Sequence, residues 1–189
     1  DDTLNVILRN LDRADLVLKH SGKEGKTVFE TEIVGKGGLC YVPDTLAVVL
    51  PDVDDGDYDI VTVSGKVECS SSYEWRSVSV AQNPDGNDCR IFAADSRTGE
   101  PLKNALIEVF DKGTRVFSKE NVTFGGFESL GRDFRAEYGD SLSRLRLRCS
   151  YRDAGGHMRM SKEMTFSGSV QTVSTPSDCM VNCMIYKDR

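Results

Sequence analysis

The 189-residue sequence has the composition of an ordinary globular protein, with 39% hydrophobic and 29% charged residues. Its 24 basic and 30 acidic residues give a net charge of −6, which argues against a nucleic-acid-binding protein, because such proteins usually carry a basic excess. No apolar run approaches the roughly 20 residues that a membrane-spanning helix needs. The length allows one large domain or two modest ones. The chain begins at Asp1 without an initiator methionine or a signal peptide, as expected of a trimmed or processed protein.

Short apolar or alternating runs separated by turn residues fill the first 80 residues, and each run predicts a β-strand. Apolar positions do not repeat at helical spacing for more than one turn in the first 90 residues. The clearest alternation is in Asp57–Ser64, where Tyr58 and Ile60 lie on one side and Val61 and Val63 on the other. The predicted strands are Thr3–Arg9, Ala14–Lys19, Thr27–Val34, Leu46–Leu50, Asp57–Ser64 and Trp75–Val80.

The stretch Asn83–Asn87 (NPDGN) clusters turn-forming residues and predicts a domain boundary, with one β-sandwich over residues 1–84 and a second over 88–180. The second domain is predicted to open with a hairpin, in which Ile91–Asp95 and Ala105–Phe110 flank the turn Ser96–Pro101. Gly99 supplies the positive φ that such a turn requires. Asp133–Ala136 is predicted to lead into another turn. The remaining predicted strands are Thr114–Ser118, Val122–Phe124, Leu142–Tyr151 and His157–Phe166.

Asp54, Gly56 and Tyr58 form the D-x-G-x-Y pattern that begins strand F of immunoglobulin-like sandwiches. In those domains the tyrosine hydroxyl bonds to upstream backbone and fixes a structural corner. A calcium loop is the competing interpretation of Asp52–Asp59, but the EF-hand register fails because Gly56 falls on a ligand position. Ile60 occupies the position of the antibody-type cysteine, so that core disulfide is absent.

An arginine row alternates with apolar residues along Leu142–Tyr151. The apolar side chains of one face are Leu145, Leu147, Cys149 and Tyr151, and the arginines of the other are Arg144, Arg146, Arg148 and Arg152. Together with Arg159 of the following strand, Arg144, Arg146 and Arg148 form a predicted contact face for an anionic or acidic partner. The alternative is a solvated sheet face whose arginines also discourage edge-to-edge pairing.

The six cysteines are even in number, which allows three disulfides in an oxidising compartment; the alternative is buried free thiols. Cys149 is in phase with core positions and is predicted to be buried. The spacing of the cysteines matches no zinc signature, and Cys179 and Cys183, four residues apart, have only His20 and His157 as candidate partners. The sequence therefore predicts no metal site.

Motifs for catalysis and cofactor binding are missing from the sequence. It contains no G-x-S-x-G elbow, no histidine in a recognisable triad arrangement and no phosphate-binding G-x-x-x-x-G-K-[ST] loop. We therefore predict neither catalytic residues nor a cofactor, and a protein that is not an enzyme. Asn121-Val122-Thr123 is a glycosylation sequon only in a eukaryotic secretory pathway.

Four segments, in chain order, resemble the N-terminal macroglobulin-type domains of bacterial alpha-2-macroglobulin-like proteins, particularly those of Bacteroidetes. Leu4–Lys19 resembles their opening strand pair with its Arg-Asn turn, and Val49–Ser64 resembles their L-P-x-L-x-x-G-x-Y strand entry. Val78–Gln82 followed by Arg90–Phe110, with D-S-R-T-G-E-P-L-x-x-A, resembles the start of the next macroglobulin domain. Val181–Arg189 resembles the strand that leads into a further domain.

This resemblance implies two tandem immunoglobulin-like, macroglobulin-type antiparallel β-sandwiches that serve as non-catalytic scaffold in a broad-spectrum protease inhibitor. In that family a proteinase cleaves a bait region, the ring of macroglobulin domains rearranges, and the proteinase is trapped, often through a Cys-Gly-Glu-Gln thioester. The sequence has no C-x-E-Q motif; Cys69, for example, is followed by Ser70-Ser71-Ser72. The implied partners are neighbouring domains of the parent protein and, through that parent, proteinases. The implied location is extracytoplasmic, in the periplasm or on an outer-membrane lipoprotein whose anchor would precede Asp1.

Two other classes of protein compete with this interpretation. A cell-surface adhesin or carbohydrate-binding module would present an aromatic platform, for which the first domain offers Tyr41, Tyr58, Tyr73 and Trp75. A β-sandwich hydrolase would need a carboxylate pair or a His–Ser site, and the sequence displays neither.

Overall fold

The structure, a computed structural model, describes residues 3–22, 25–36, 43–85, 88–166, 172–173 and 184–185. Among these residues, 63% lie in strands and 6% in helices, and most of the strand pairing is antiparallel, which confirms the predicted all-β sandwich class. The chain divides into two compact units. Unit 1 combines Asp1–Trp75 with Asp178–Arg189, and unit 2 is Arg76–Ser177.

Unit 1 contains two sheets. One has the strand order β16-β1-β4, with β1 and β16 parallel, and the other is antiparallel with the order β3-β2-β5-β6. The strands are β1 (Thr3–Leu8), β2 (Arg13–His20), β3 (Thr27–Val34), β4 (Asp44–Val49), β5 (Gly56–Ser64), β6 (Val67–Trp75) and β16 (Met184–Ile185).

The core of unit 1 combines residues of both sheets, because apolar residues alternate along β1 and β2. On β1 the buried positions are Leu4, Val6 and Leu8. They pack in one cluster with Leu16 and Leu18 of β2, whose exposed fractions are both 0%. The predicted strand Leu46–Leu50 exists as β4, and its residues alternate between half-buried and exposed.

Unit 2 also contains two sheets. One has the order β10-β9-β12-β13, with β14 also paired to β12, and the other has the order β11-β8-β7-β15. A short helix, α1 (Arg132–Tyr138), and a 3₁₀ turn (Gly139–Arg144) precede β12. The strands are β7 (Val78–Asp85), β8 (Asp88–Asp95), β9 (Ala105–Asp111), β10 (Thr114–Val122), β11 (Glu128–Ser129), β12 (Leu145–Arg152), β13 (Met158–Met160), β14 (Met164–Thr165) and β15 (Thr172–Val173).

The predicted hairpin over residues 91–110 is wrong in its pairing, although both of its strands exist. β8 pairs with β7 and β11, whereas β9 pairs with β10 and β12 in the other sheet. The turn Ser96–Pro101 therefore carries the chain from one sheet of unit 2 to the other. Turn residues indicate where a strand ends, but the partner of the next strand depends on contacts distant in sequence.

The division between units also differs from the sequence prediction. The turn residues of Asn83–Asn87 fall where β7 and β8 form a hairpin in one sheet, with Asp85 paired to Asp88, so this stretch lies inside unit 2. The division falls between Trp75 and Arg76 instead. A Pro-Asp-Gly-Asn cluster suits a hairpin turn as well as a linker, and the sequence alone does not separate the two.

Three local predictions need correction. The serine-rich segment Val67–Trp75 forms a nine-residue strand that the sequence analysis did not anticipate. Asp133–Ala136 lies inside α1, and the first residues of the predicted strand Leu142–Tyr151 belong to the 3₁₀ turn. The predicted strand His157–Phe166 is interrupted, and its two pieces, β13 and β14, both pair with β12.

Candidate functional site

Tyr58 lies in a closed corner at the start of β5. Its side chain is 0% exposed, and its hydroxyl donates a hydrogen bond to the carbonyl oxygen of Asp54 at 2.5 Å. A Cβ at Gly56 would stand 3.5 Å from the Tyr58 ring, which is ordinary contact and leaves little room for a longer side chain. Asp54 contributes its backbone carbonyl to this bond. The geometry is that of a tyrosine corner, in which one hydroxyl ties a strand to the segment that precedes it.

The aromatic rings around Tyr58 belong to the core of unit 1. Trp75 is 6% exposed and meets the Tyr58 ring edge-on, with 6.3 Å between ring centroids. Tyr73, half-buried, meets Trp75 edge-on at 5.7 Å, and His20 stacks on Tyr58 at 4.8 Å. Two of the four candidate residues for a carbohydrate platform are thus buried, and Tyr41 lies outside the described residues.

The arginine row of β12 lies beside acidic side chains of the neighbouring strand β9. Arg148 stands opposite Glu108 in the strand register, and its Nη2 lies 2.8 Å from Glu108 Oε2. Arg144 Nη2 lies 3.1 Å from Asp111 Oδ2. Arg146 is exposed and stands opposite Phe110. Acidic residues of β9 therefore compensate the charges of Arg144 and Arg148.

Glu108 is the centre of a charge cluster that spans three strands. Its side chain is only 10% exposed, and its two carboxylate oxygens contact Arg148 of β12 and Arg115 of β10, the latter at 3.2 Å. The Arg148 guanidinium also stands 4.7 Å from the centroid of the Phe110 ring. The sequence predicts no role for Glu108, because its partners Arg115 and Arg148 are on other strands.

Arg159 does not share the face of the other three arginines. It pairs with Tyr151, which is on the face of β12 that carries Leu147 and Cys149. Residues directly opposite in an antiparallel pair point to the same side. Arg159 is 8% exposed, and its Nε donates to Asp153 Oδ2 at 2.7 Å. The predicted four-arginine contact face is therefore reduced to Arg144, Arg146 and Arg148.

Asp153 organises the turn between β12 and β13. Its Oδ1 accepts the backbone N–H of His157 at 2.8 Å, and its Oδ2 accepts Arg159. Desolvation alone would raise the pKa of Asp153, but the bonds from His157 and Arg159, together with the positive charge of Arg159, lower it. The arrangement holds a tight turn.

Asp95 organises the turn that crosses between the sheets of unit 2. Its Oδ1 accepts the backbone N–H groups of Arg97 and Thr98 at 3.0 and 2.8 Å, and the Thr98 hydroxyl at 3.1 Å. Its Oδ2 accepts the Tyr151 hydroxyl at 3.2 Å, which ties β8 to β12 of the other sheet. Gly99 follows with a φ of 72°. The Asp-x-x-Thr-Gly sequence is thus a structural turn anchored on one carboxylate.

The same contacts shift the ionisation of this pair. Desolvation would raise the pKa of Asp95, but the hydrogen bonds from Thr98 and Arg97, with that from Tyr151, outweigh it and lower the pKa. Desolvation and the nearby Asp95 charge raise the pKa of Tyr151 to about 12. Tyr151 therefore stays protonated at neutral pH and remains a donor to Asp95.

The cysteines of unit 2 lie in its core. Cys149 is a free thiol with an exposed fraction of 0%, and its burial raises the pKa to about 12. Cys89 is 7% exposed in the same cluster. A buried thiol with so high a pKa is unreactive, since the thiolate is the nucleophile. Three cysteines lie outside the described residues: Cys40, and the pair Cys179 and Cys183, which are four residues apart.

Taken together, the fold and these sites define a pair of antiparallel β-sandwich units whose polar clusters hold turns and strands in place. None of the helices within the described ranges is long and apolar enough to cross a membrane. No family model matches the sequence, and no curated protein matches it.

Among solved structures, the chain is similar to native alpha-2-macroglobulin from Escherichia coli, in a crystal structure spanning domains MG0-NIE-MG1, with a TM-score of 0.50 and 13% sequence identity. The alignment covers 81% of this chain and 55% of that chain, so the match spans about half of the neighbour's length. At this identity the likeness establishes the fold, which agrees with the macroglobulin-type sandwich that the sequence motifs imply.

Proposed function

We propose that this chain is a non-catalytic scaffold region of a bacterial alpha-2-macroglobulin-like, broad-spectrum protease inhibitor that traps proteinases outside the cytoplasm. The observation that carries the proposal is the structural likeness to the Escherichia coli alpha-2-macroglobulin domains, together with the order of the four sequence segments. In this proposal, units 1 and 2 are two macroglobulin-type domains that contact neighbouring domains of a larger protein. The parent is periplasmic or anchored to the outer membrane as a lipoprotein.

The polar clusters support a scaffold role. The Tyr58 hydroxyl, the Asp95 carboxylate and the Asp153 carboxylate each bind the backbone of a turn or corner within a few residues. The Glu108 cluster links three neighbouring strands. Groups used in this way stabilise a domain that must keep its shape while the parent protein rearranges. An adhesin gains less support, because Tyr58 and Trp75 lie in the core.

The test compares two substrates of one proteinase. The parent protein is mixed with the proteinase, and the remaining activity is measured on a small chromogenic peptide and on a large protein substrate. Trapping predicts that cleavage of the peptide persists while cleavage of the protein is lost, because a caged proteinase admits only small substrates. Loss of neither activity, or of both equally, contradicts the proposal.

The isolated 189-residue chain is the matched control for the scaffold role. It should leave both activities of the proteinase unchanged, since it carries no C-x-E-Q motif and serves only as scaffold in this proposal. Inhibition by the chain alone would contradict its assignment as scaffold. Specific binding of the chain on a glycan array would favour the adhesin alternative instead.

A further inference from the structure

The outer face of the β3-β2-β5-β6 sheet in unit 1 carries an excess of acid. In an antiparallel sheet, residues opposite one another share a face, so the register defines which side chains meet there. Arg13 and Lys19 are the basic residues of this surface. The acidic residues of this surface, called here the acidic face, are Asp15, Glu30, Glu32, Asp57, Asp59, Glu68 and Glu74.

The register places like charges directly across from one another at two points of the acidic face. Asp15 stands opposite Glu32, and Asp57 stands opposite Glu74. Like charges in directly opposite positions destabilise a sheet. Arg13 offsets one pair only in part, through an exposed contact of 3.5 Å with Glu32. The opposition of Asp15 and Glu32 therefore costs unit 1 some stability.

The five-stranded sheet of unit 2 shows the opposite pattern. There the register sets Arg148 against Glu108, and Arg115 contacts the same carboxylate, while Arg144 contacts Asp111, so most of the arginines on this face are compensated within the chain. The composition of the units follows the same division. Unit 1 has 17 acidic and 9 basic residues, whereas unit 2 has 13 acidic and 15 basic residues. The excess of acid is thus concentrated in one unit.

An apolar strip crosses the acidic face. Val17 of β2, which is half-buried, pairs with Val61 of β5, which is only 8% exposed, and the half-buried Val63 stands opposite Asp15 on the same side. At one end of the face Val34, opposite Arg13, is 62% exposed. The solvated face of an antiparallel sheet is usually polar, and an apolar centre inside a charged rim is the anatomy of a binding surface.

We propose that the acidic face is a docking surface for a basic polypeptide segment that sets apolar side chains between its lysines and arginines. Charge complementarity selects the partner: its cations would lie near Asp15, Glu30 and Glu68, which have no ionic or hydrogen-bonding partner among the residues that the structure describes. Its apolar side chains would contact Val17, Val63 and Val34, which are more exposed than Val61. Docking would also relieve the repulsion between Asp15 and Glu32. The surface would contact a partner that the protease-trapping proposal does not specify, and its test is independent of that proposal.

The test titrates the isotope-labelled chain with a peptide that alternates lysine and valine and follows backbone amide shifts by NMR. The expected shifts are confined to β2, β3, β5 and β6, and they fade as salt rises to about 0.15 M, where the Debye length is about 8 Å. A peptide that alternates glutamate and valine should cause no shifts. Shifts spread over both units would show that the peptide does not bind the acidic face specifically and would overturn the proposal. The absence of shifts would overturn it as well. If calcium chloride shifted these amide signals and the peptide did not, the acidic face would be a cation site and not a docking surface.

Two triple variants of equal net charge give the matched comparison. Asp15→Asn/Glu30→Gln/Glu68→Gln removes three exposed carboxylates from the acidic face, and affinity for the lysine–valine peptide should fall about tenfold, at roughly a factor of two for each exposed ion pair lost. The control triple variant changes exposed acids elsewhere and should bind like the native chain; its substitutions are Asp12→Asn, Glu100→Gln and Glu120→Gln. An equal loss in both variants would show attraction to net charge alone and overturn the assignment to this face. The NMR map of the native chain does not depend on how the variants fold.

Discussion

Replacing Tyr58 with phenylalanine should destabilise unit 1 measurably while leaving its packing intact. The substitution keeps the ring, which is 0% exposed, and removes only the hydroxyl that donates to the Asp54 carbonyl oxygen at 2.5 Å. A neutral hydrogen bond contributes about 0.5–1.5 kcal/mol net, and a carbonyl left unsatisfied in a partly buried site costs about 1–3 kcal/mol. We therefore expect a loss of about 1–2 kcal/mol in the free energy of unfolding of unit 1. For a unit of this size, that loss lowers the Tm by roughly 4–16 °C.

The assay uses a reporter that the sequence provides. Trp75 is the single tryptophan of the chain and lies in the core of unit 1, so its fluorescence during urea unfolding follows that unit. The midpoint should fall in the Tyr58→Phe variant with an unchanged slope, since the unfolding still exposes the same surface. Tyr138→Phe is the control: it removes a hydroxyl in unit 2 whose contact with the Val116 carbonyl oxygen is a long 3.4 Å. An unchanged midpoint for Tyr58→Phe would refute the stabilising role of the corner.

Three further predictions concern unit 2. Glu108→Gln should lower the free energy of unfolding by about 1–3 kcal/mol, because Arg115 and Arg148 lose the anion that they share. Unfolding followed by near-ultraviolet circular dichroism measures this loss, and a stability equal to that of the native chain would contradict it. The folded-state pKa of Asp95 lies below the ordinary value of 3.8 for an aspartate, so its contribution to stability is present above that pH and is lost as the pH falls through the folded pKa. Asp95→Asn should therefore reduce the loss of unfolding free energy that accompanies a fall in pH. An unchanged loss would show that Asp95 does not contribute to it. Cys149, buried and with its pKa raised to about 12, should resist thiol labelling at pH 8 until denaturant unfolds unit 2, as mass spectrometry of the labelled peptide would reveal; labelling in the native state would contradict the buried assignment.

Features that depend on neighbouring positions in the chain were accessible from the sequence. Side chains alternate across a strand with a period of two, so the apolar faces of β5 and β12 follow from residue order alone. The D-x-G-x-Y pattern acts over five residues, and the bond between Tyr58 and the Asp54 carbonyl lies within it. The absence of nucleophile and phosphate motifs is likewise a property of the sequence, and so is the order of segments that resembles macroglobulin-type domains.

Features that depend on which strands become neighbours were decided only by the tertiary structure. Ile91–Asp95 and Ala105–Phe110 are strands as the sequence predicts, yet they join different sheets, because pairing is settled by burial contacts distant in sequence. Arg159 follows the pattern of a basic strand face, but its register with Tyr151 turns it to the side of the core, where Asp153 compensates its charge. The acidic face has the same origin. No single strand carries it, and it arises because four strands, each with a few acidic residues, pair in a register that brings those residues together on one surface.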